Sequence, residues 1–219
     1  MTATRDVEKL LDAAYEIRVN NLPEAISLAE RALQASLVQL DDAGTAKSYN
    51  MLGLFAMIRG EFQKSIDFTN EAIKILEKRK DEHGLAYAHY NLAGVYYKTN
   101  NYHLGLDYLL RCLSTFRDLK DFPNEARALK SIGTIYEYFG DNENAKASYE
   151  GSIEAARKCG DRNIESNAFN PLSGIYLKLG DIDRALSMAE ESIQIKKETG
   201  DVRGLAFSIY ARGKVALHT

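Results

Sequence analysis

Residues 133–147 read GTIYEYFGDNENAKA, and the parts of this stretch return along the chain every 40 residues. The small residue Gly133 has counterparts in Gly53, Ala93, Ser173 and Gly213. Tyr136 is matched by Tyr96 and Tyr176, and Gly140 by Gly60 and Gly180, with Asn20 and Asn100 in the same slot. Ala145 is matched by Ala25, Ser65, Gly105 and Ala185, and Asp121 by Asp41, Asp81, Asp161 and Asp201. A fixed period of this length marks a solenoid, in which each unit buries its apolar face only by stacking on the next.

Each unit reads as two antiparallel helices, here called A and B. In the unit holding the stretch above, Ala128, Ile132, Ile135, Tyr136 and Phe139 follow the spacing of one helical face, which predicts helix A from about Glu125 to Phe139. Gly140 ends it, because glycine enters the left-handed conformation cheaply. Asp141 then offers a carboxylate to the free amides opening helix B, as Asp181 and Asn21 do in their units. Helix B carries small residues seven apart, such as Ala145 with Ser152 and Ser65 with Ala72, which let A and B approach closely. One domain over 6–219 is expected, with units over about 6–45, 46–85, 86–125, 126–165 and 166–205 and a further helix over 206–219.

Composition narrows the function classes. The 219 residues carry a net charge of −3, with 45% hydrophobic and 27% charged residues, as in a soluble, well-packed protein. The mild acidity argues against general binding to nucleic acid or anionic membranes. No apolar run reaches the ~18 residues of a membrane span, and the first ten residues lack the core of a signal peptide. Two cysteines, Cys112 and Cys159, are too few for a disulfide framework. A cytoplasmic location is expected. His83, His89, His103 and His218 form no metal-ligand spacing, and no phosphate loop or nucleophile elbow is present. The expectation is a non-enzyme without cofactor or metal.

Two places break the pattern. Pro171 falls inside helix A of the fifth unit, where a kink or a delayed start is expected. At the carboxy-terminal end, Phe207, Ile209, Tyr210, Val215 and Leu217 occupy several faces of the final helix, although a solenoid cap should be polar outside. Met1 lies just before the first repeat and the chain stops within a unit, so the amino-terminal part of a longer protein is expected.

The pattern resembles the tetratricopeptide repeat, on Leu52 and Gly53; Leu92, Ala93 and Tyr96; Ile132, Gly133 and Tyr136; and Leu172, Ser173 and Tyr176, with Gly-Asp at the turn. The usual Trp is replaced by Tyr49, His89, Leu129 and Phe169. The period of 40 and the Gly160-Asp161 and Gly200-Asp201 pairs are similar to a longer subgroup, found in spindle-orientation adaptors, kinesin light chains and the amino-terminal regions of bacterial signalling proteins. That resemblance implies an all-α, right-handed superhelical solenoid whose concave groove, lined by helix A, binds a peptide or protein segment.

On that architecture the groove slots carry Lys47, Asn50, Tyr87, Tyr90, Tyr97, Lys98, Arg127, Lys130, Tyr138, Asn167, Asn170 and Lys178, with Glu137 among them. An Asn amide can pair with one peptide unit, a Tyr offers a stacking surface, and the cations favour an acidic ligand. Surface helices also carry Lys and Asn for solubility alone. The alternative function is self-association into a homodimer through the final helix, at Phe207, Tyr210 and Leu217.

Overall fold

The computed structural model describes residues 2–218, and the described residues form eleven α-helices and no strands. They are α1 (Thr2–Ile17), α2 (Leu22–Val38), α3 (Asp42–Arg59), α4 (Phe62–Arg79), α5 (Glu82–Lys98), α6 (Tyr102–Asp118), α7 (Phe122–Tyr138), α8 (Asn142–Cys159), α9 (Arg162–Lys178), α10 (Ile182–Glu198) and α11 (Val202–Ala216). Among the described residues no helix is long and apolar enough to cross a membrane. The chain divides into two compact units, one up to Thr115 and one from Phe116 onward.

Helix α7 begins at Phe122, three residues before the expected Glu125. The reason lies in the loop aspartates, which the pattern placed as loop residues only. Asp41, Asp81, Asp121, Asp161 and Asp201 each accept a hydrogen bond from the backbone N–H three residues on, at Gly44, Gly84, Asn124, Ile164 and Gly204. Each therefore caps helix A of its pair and starts it early. Asp141, Asp181 and Asn21 cap helix B in the same way. Gly60, Gly140 and Gly180 end their helices with φ between 76° and 80°, where a side chain would be strained. Helix α9 runs unbroken from Arg162 to Lys178 with Pro171 inside it, so the expected delayed start does not occur. The carbonyl of Asn167 lies at the position where Pro171 supplies no N–H.

In the first unit Val7, Leu11, Ala14, Ala25, Ala29, Ala32, Leu52 and Phe55 form one buried cluster. Ala46, Ala72, Leu76 and Ala88 continue the core through α3, α4 and α5. In the second unit Ala145, Tyr149, Phe169, Leu172, Ile175, Tyr176, Ile195 and Val215 lie in the main cluster. Small residues bring backbones together. The hydroxyl groups of Ser65, Ser152 and Ser173 donate across the helix pairs to the carbonyls of Gly53, Ala126 and Ala185, each at 2.7 Å. Such bonds satisfy both a buried hydroxyl and a second acceptor lone pair on a helical carbonyl.

An ionic clasp joins α8 to α9. The Glu165 side chain is only 4% exposed, and accepts from Arg157 Nε and Arg162 Nη1, both at 2.7 Å. Arg117 and Glu125 form the equivalent clasp between α6 and α7 at 3.0 Å. Glu165→Ala removes two charge-assisted bonds, while the arginines, more than half exposed, turn to water. The expected loss is about 1–3 kcal/mol in urea unfolding. The exposed pair Lys74–Glu71 is expected to contribute a few tenths of that on Lys74→Ala.

Candidate functional site

The twelve residues expected to line a groove lie on the A helices, and each unit holds its own set. In the first unit Lys47 and Asn50 stand on α3, and Tyr87, Tyr90, Tyr97 and Lys98 on α5. Lys47 pairs with Glu8 of α1 at 2.7 Å. The Lys47 ammonium beside Glu8 holds that carboxyl below its ordinary range. The backbone oxygen of Asn50 accepts from Asn91 Nδ2 at 3.1 Å, and its own Oδ1 is buried without a hydrogen-bond partner. Tyr87 meets His83 edge-on at 5.1 Å and Tyr97 meets Tyr102 edge-on at 5.6 Å. Both tyrosines stay more than a third exposed, whereas Tyr90 is half-buried.

In the second unit Arg127, Lys130 and Tyr138 stand on α7, Asn167, Asn170 and Lys178 on α9, and Phe207 and Tyr210 on α11. Lys178 pairs with Glu137 at 2.7 Å, and the Tyr149 hydroxyl donates to the other oxygen of that carboxylate at 3.1 Å. Glu137 is thus held from both sides. Arg127 donates to Asn124 Oδ1 at 3.0 Å. Among the described residues Lys130 has no ion-pair partner, and burial pushes the pKa of its amine down while Glu137 opposes that shift. Asn170 donates from Nδ2 to Ser208 Oγ at 3.0 Å, and its Oδ1, like that of Asn50 three repeats earlier, is buried and unpartnered. Two of the five slot cations, Lys47 and Lys178, are therefore balanced by carboxylates, and the slots present less positive charge than their sequence suggests.

Some neighbours of these slots were not singled out by the repeat pattern. Lys196 of α10 is 4% exposed, and donates to Asn167 Oδ1 at 3.0 Å and to Asp201 Oδ2 at 2.8 Å. Its counterparts Ser36, Leu76, Phe116 and Ala156 are all buried core residues. A charge in a core slot was the signal that could have marked it. Phe207, Tyr210 and Leu217 are 60%, 68% and 85% exposed, while Val215 is buried. Cys112 is fully buried, which pushes its thiol up to about 12, and Cys159 ends α8 on the surface. His89 packs against Tyr108 at 5.4 Å, and burial and then Arg111 push its pKa down. Among the described residues no group of three or more His, Cys, Asp or Glu could hold a metal ion.

Family models described as tetratricopeptide repeat match residues 84–158 and 168–199. Tetratricopeptide repeats are found over those two stretches. A model for anaphase-promoting complex subunit 5 matches residues 46–98, where the repeat pattern continues. Tetratricopeptide repeat protein 29 of Trypanosoma brucei brucei (strain 927/4 GUTat10.1) is 25% identical over 177 residues, covering 76% of this chain. The chain covers 37% of that relative's length. Aspartyl phosphate phosphatase F from Bacillus subtilis superposes with a TM-score of 0.81 at 17% identity, over 98% of this chain and 56% of that one. NprR in complex with its cognate peptide NprX superposes with a TM-score of 0.67 at 18% identity, over 97% of this chain and 62% of that one. These likenesses show the fold: an all-α solenoid of antiparallel helix pairs, as tetratricopeptide repeats build it.

Proposed function

We propose that this chain is a protein-interaction module that captures an extended peptide or protein segment on the faces of its A helices. The observation that carries this reading is the pair Asn50 and Asn170. They occupy the same repeat slot, and in each an amide oxygen is buried with nothing donating to it. Such an acceptor is costly in the free protein, and turning the amide out to an arriving N–H relieves it. Lys130 lies in the same slot between them in sequence, half-buried and without a counter-charge of its own. Lys98 and Lys130 leave a positive balance that suits a segment carrying carboxylates. NprR, with its cognate peptide NprX, shows that a chain of this fold can hold a peptide. On the same reading the module serves as the regulatory region of a larger cytoplasmic signalling protein of bacterial type, without catalysis of its own.

The test is selection from a phage-displayed library of random peptides on the immobilised chain. Enrichment of a common sequence is expected, and its synthetic form should bind about tenfold more weakly to Lys130→Ala/Asn170→Ala or to Asn50→Ala. Circular dichroism of the variants should be unchanged. Failure to enrich any sequence would sink the proposal.

A second reading is homodimerisation through α11, favoured by the exposure of Phe207, Tyr210 and Leu217. Light scattering should then report a dimer that Phe207→Ser/Leu217→Ser dissolves, whereas a monomer at high concentration would exclude it.

A further inference from the structure

Helix α11 carries the cations Arg203, Arg212 and Lys214 and no acid, in a chain of net charge −3. Each stands where the other A helices of the repeat carry neither Lys nor Arg. Arg203 has counterparts Ala43, His83, Pro123 and Asn163, and Lys214 has Leu54, Gly94, Thr134 and Gly174. Arg212 replaces Leu52, Leu92, Ile132 and Leu172, all of them buried. Gly213 marks what covers this face elsewhere. A Cβ at its counterpart Gly53 would meet Thr69 of α4, and one at Gly133 would meet Tyr149 of α8, whereas one at Gly213 would meet nothing within 4 Å. Ile209 is exposed where its counterparts Leu129 and Phe169 are buried. By helical spacing the open face of α11 has Ile209, Gly213 and Tyr210 along its middle, Arg212 on one rim, and Arg203 and Lys214 on the other.

Charge disfavours two occupants of this face. A further helix pair of the same repeat would bury Arg212 in the slot of a core leucine, and a second copy pairing through α11 would set cations against cations. We propose that the face docks an amphipathic helix of a separate, acidic partner protein. Carboxylates along the edges of that helix meet Arg203, Lys214 and Arg212, its apolar stripe lies on Ile209 and Tyr210, and one bulky side chain sits over Gly213 as Tyr149 sits over Gly133. Arg212 is balanced in part by Glu190 at 3.5 Å, both side chains being exposed. Arg203 has Asp201 nearby, a carboxylate already bound to Lys196, and the Lys214 ammonium lies 6.0 Å from the centre of the Tyr210 ring. Arg203 and Lys214 are therefore the cations that select an acidic helix. The proposal goes beyond peptide capture at Asn50 and Asn170 and does not rest on it.

The experiment compares two synthetic helical peptides of leucine and alanine, identical except that one carries glutamate and the other lysine beside the leucine stripe. Fluorescence anisotropy with the full chain is expected to show the glutamate peptide bound about tenfold more tightly than the lysine peptide. Arg203→Glu/Lys214→Glu should reverse that order, and because both residues are exposed the core is untouched. Tyr210→Ser should weaken the glutamate peptide about tenfold while keeping the order, which places the contact on α11. Equal binding of the two peptides, or an order that survives the charge reversal, would overturn the proposal. A dimer of the chain alone that Phe207→Ser/Leu217→Ser dissolves would overturn it as well, by giving the face to a second copy. A peptide from the random-library selection should bind the charge-reversed variant as it binds wild type, so peptide capture and helix docking fail separately.

Discussion

Replacing Tyr149 with alanine is expected to destabilise the second unit by about 3–5 kcal/mol, the cost of emptying a large aromatic site in a close-packed core. Tyr149 is fully buried, and its ring lies against Gly133, the glycine that heads the repeated stretch. A Cβ at Gly133 would come within 2.7 Å of the ring. Large and small residues are thus matched across α7 and α8, and neither can change alone. Gly133→Ala should cost about 1–3 kcal/mol by overpacking in the native background. It should cost almost nothing once Tyr149 is alanine, so the double-mutant cycle should show strong coupling. The Tyr149 hydroxyl also reaches Glu137 at 3.1 Å, so the variant frees one side of the carboxylate that holds Lys178. Urea unfolding followed by circular dichroism measures the loss, and hydrogen exchange at α7 and α8 assigns it. A loss below about 1 kcal/mol would mean that the two helices collapse into the space and that their spacing is not set by this pair.

That glycine and its tyrosine illustrate what periodicity can carry. The 40-residue return of small residues, turn glycines and aspartates was enough to read helix pairs, their order and most of their buried faces, but Phe139, counted on the face of α7, follows that helix and is exposed. The start of helix A at Phe122 was missed because Asp121 was read by its place in a loop. A side chain that caps a helix is indistinguishable in sequence from one that merely follows the previous helix. Pro171 was expected to kink α9 or delay its start, and the helix does not start late: it passes through Pro171, with Asp161 capping it at its usual register. Packing of Phe169, Leu172 and Ile175 into the core outweighs one missing hydrogen bond.

For the proposed slots the sequence told which helix carries each residue and not the state of its side chain. The slots fall on the A helices, because a repeat assigns faces by register alone. What each side chain does there depends on partners from other slots, which periodicity does not pair. Glu8 neutralises Lys47 from the preceding A helix, and Glu137 neutralises Lys178 from one repeat earlier. Asn167 and Asn170 read as equivalent amides in sequence, and only the structure sets Lys196 beside the first and Ser208 beside the second.

Lys196 also underlies the second large effect. Asp201→Ala is expected to loosen α10 and α11 by about 3 kcal/mol, whereas Lys196→Met should be close to neutral. Removing the carboxylate leaves a buried ammonium with only the Asn167 oxygen for company, and also removes the cap on Gly204. The full penalty for an unpaired buried charge is larger, but Asp201 is 37% exposed and water screens the pair, so the lower figure is expected. Removing the lysine instead leaves a carboxylate that water can still reach and a methionine in a slot where leucine and phenylalanine serve elsewhere. The Lys196 ammonium, and then the Gly204 amide, hold the Asp201 carboxyl below its ordinary range. A carboxyl depressed in the folded state contributes stability that is complete above the ordinary carboxylate range and is lost as pH falls through the depressed value. Hydrogen exchange at α11 amides should therefore quicken on acidification in the wild type, at pH values below that range, and this acid step should shrink in Lys196→Met, where only the Gly204 amide still holds the carboxyl down. Equal protection of α11 in Asp201→Ala and wild type would show that the buried ammonium finds another partner, and that the tie between Asn167 and the last helix does not depend on this carboxylate.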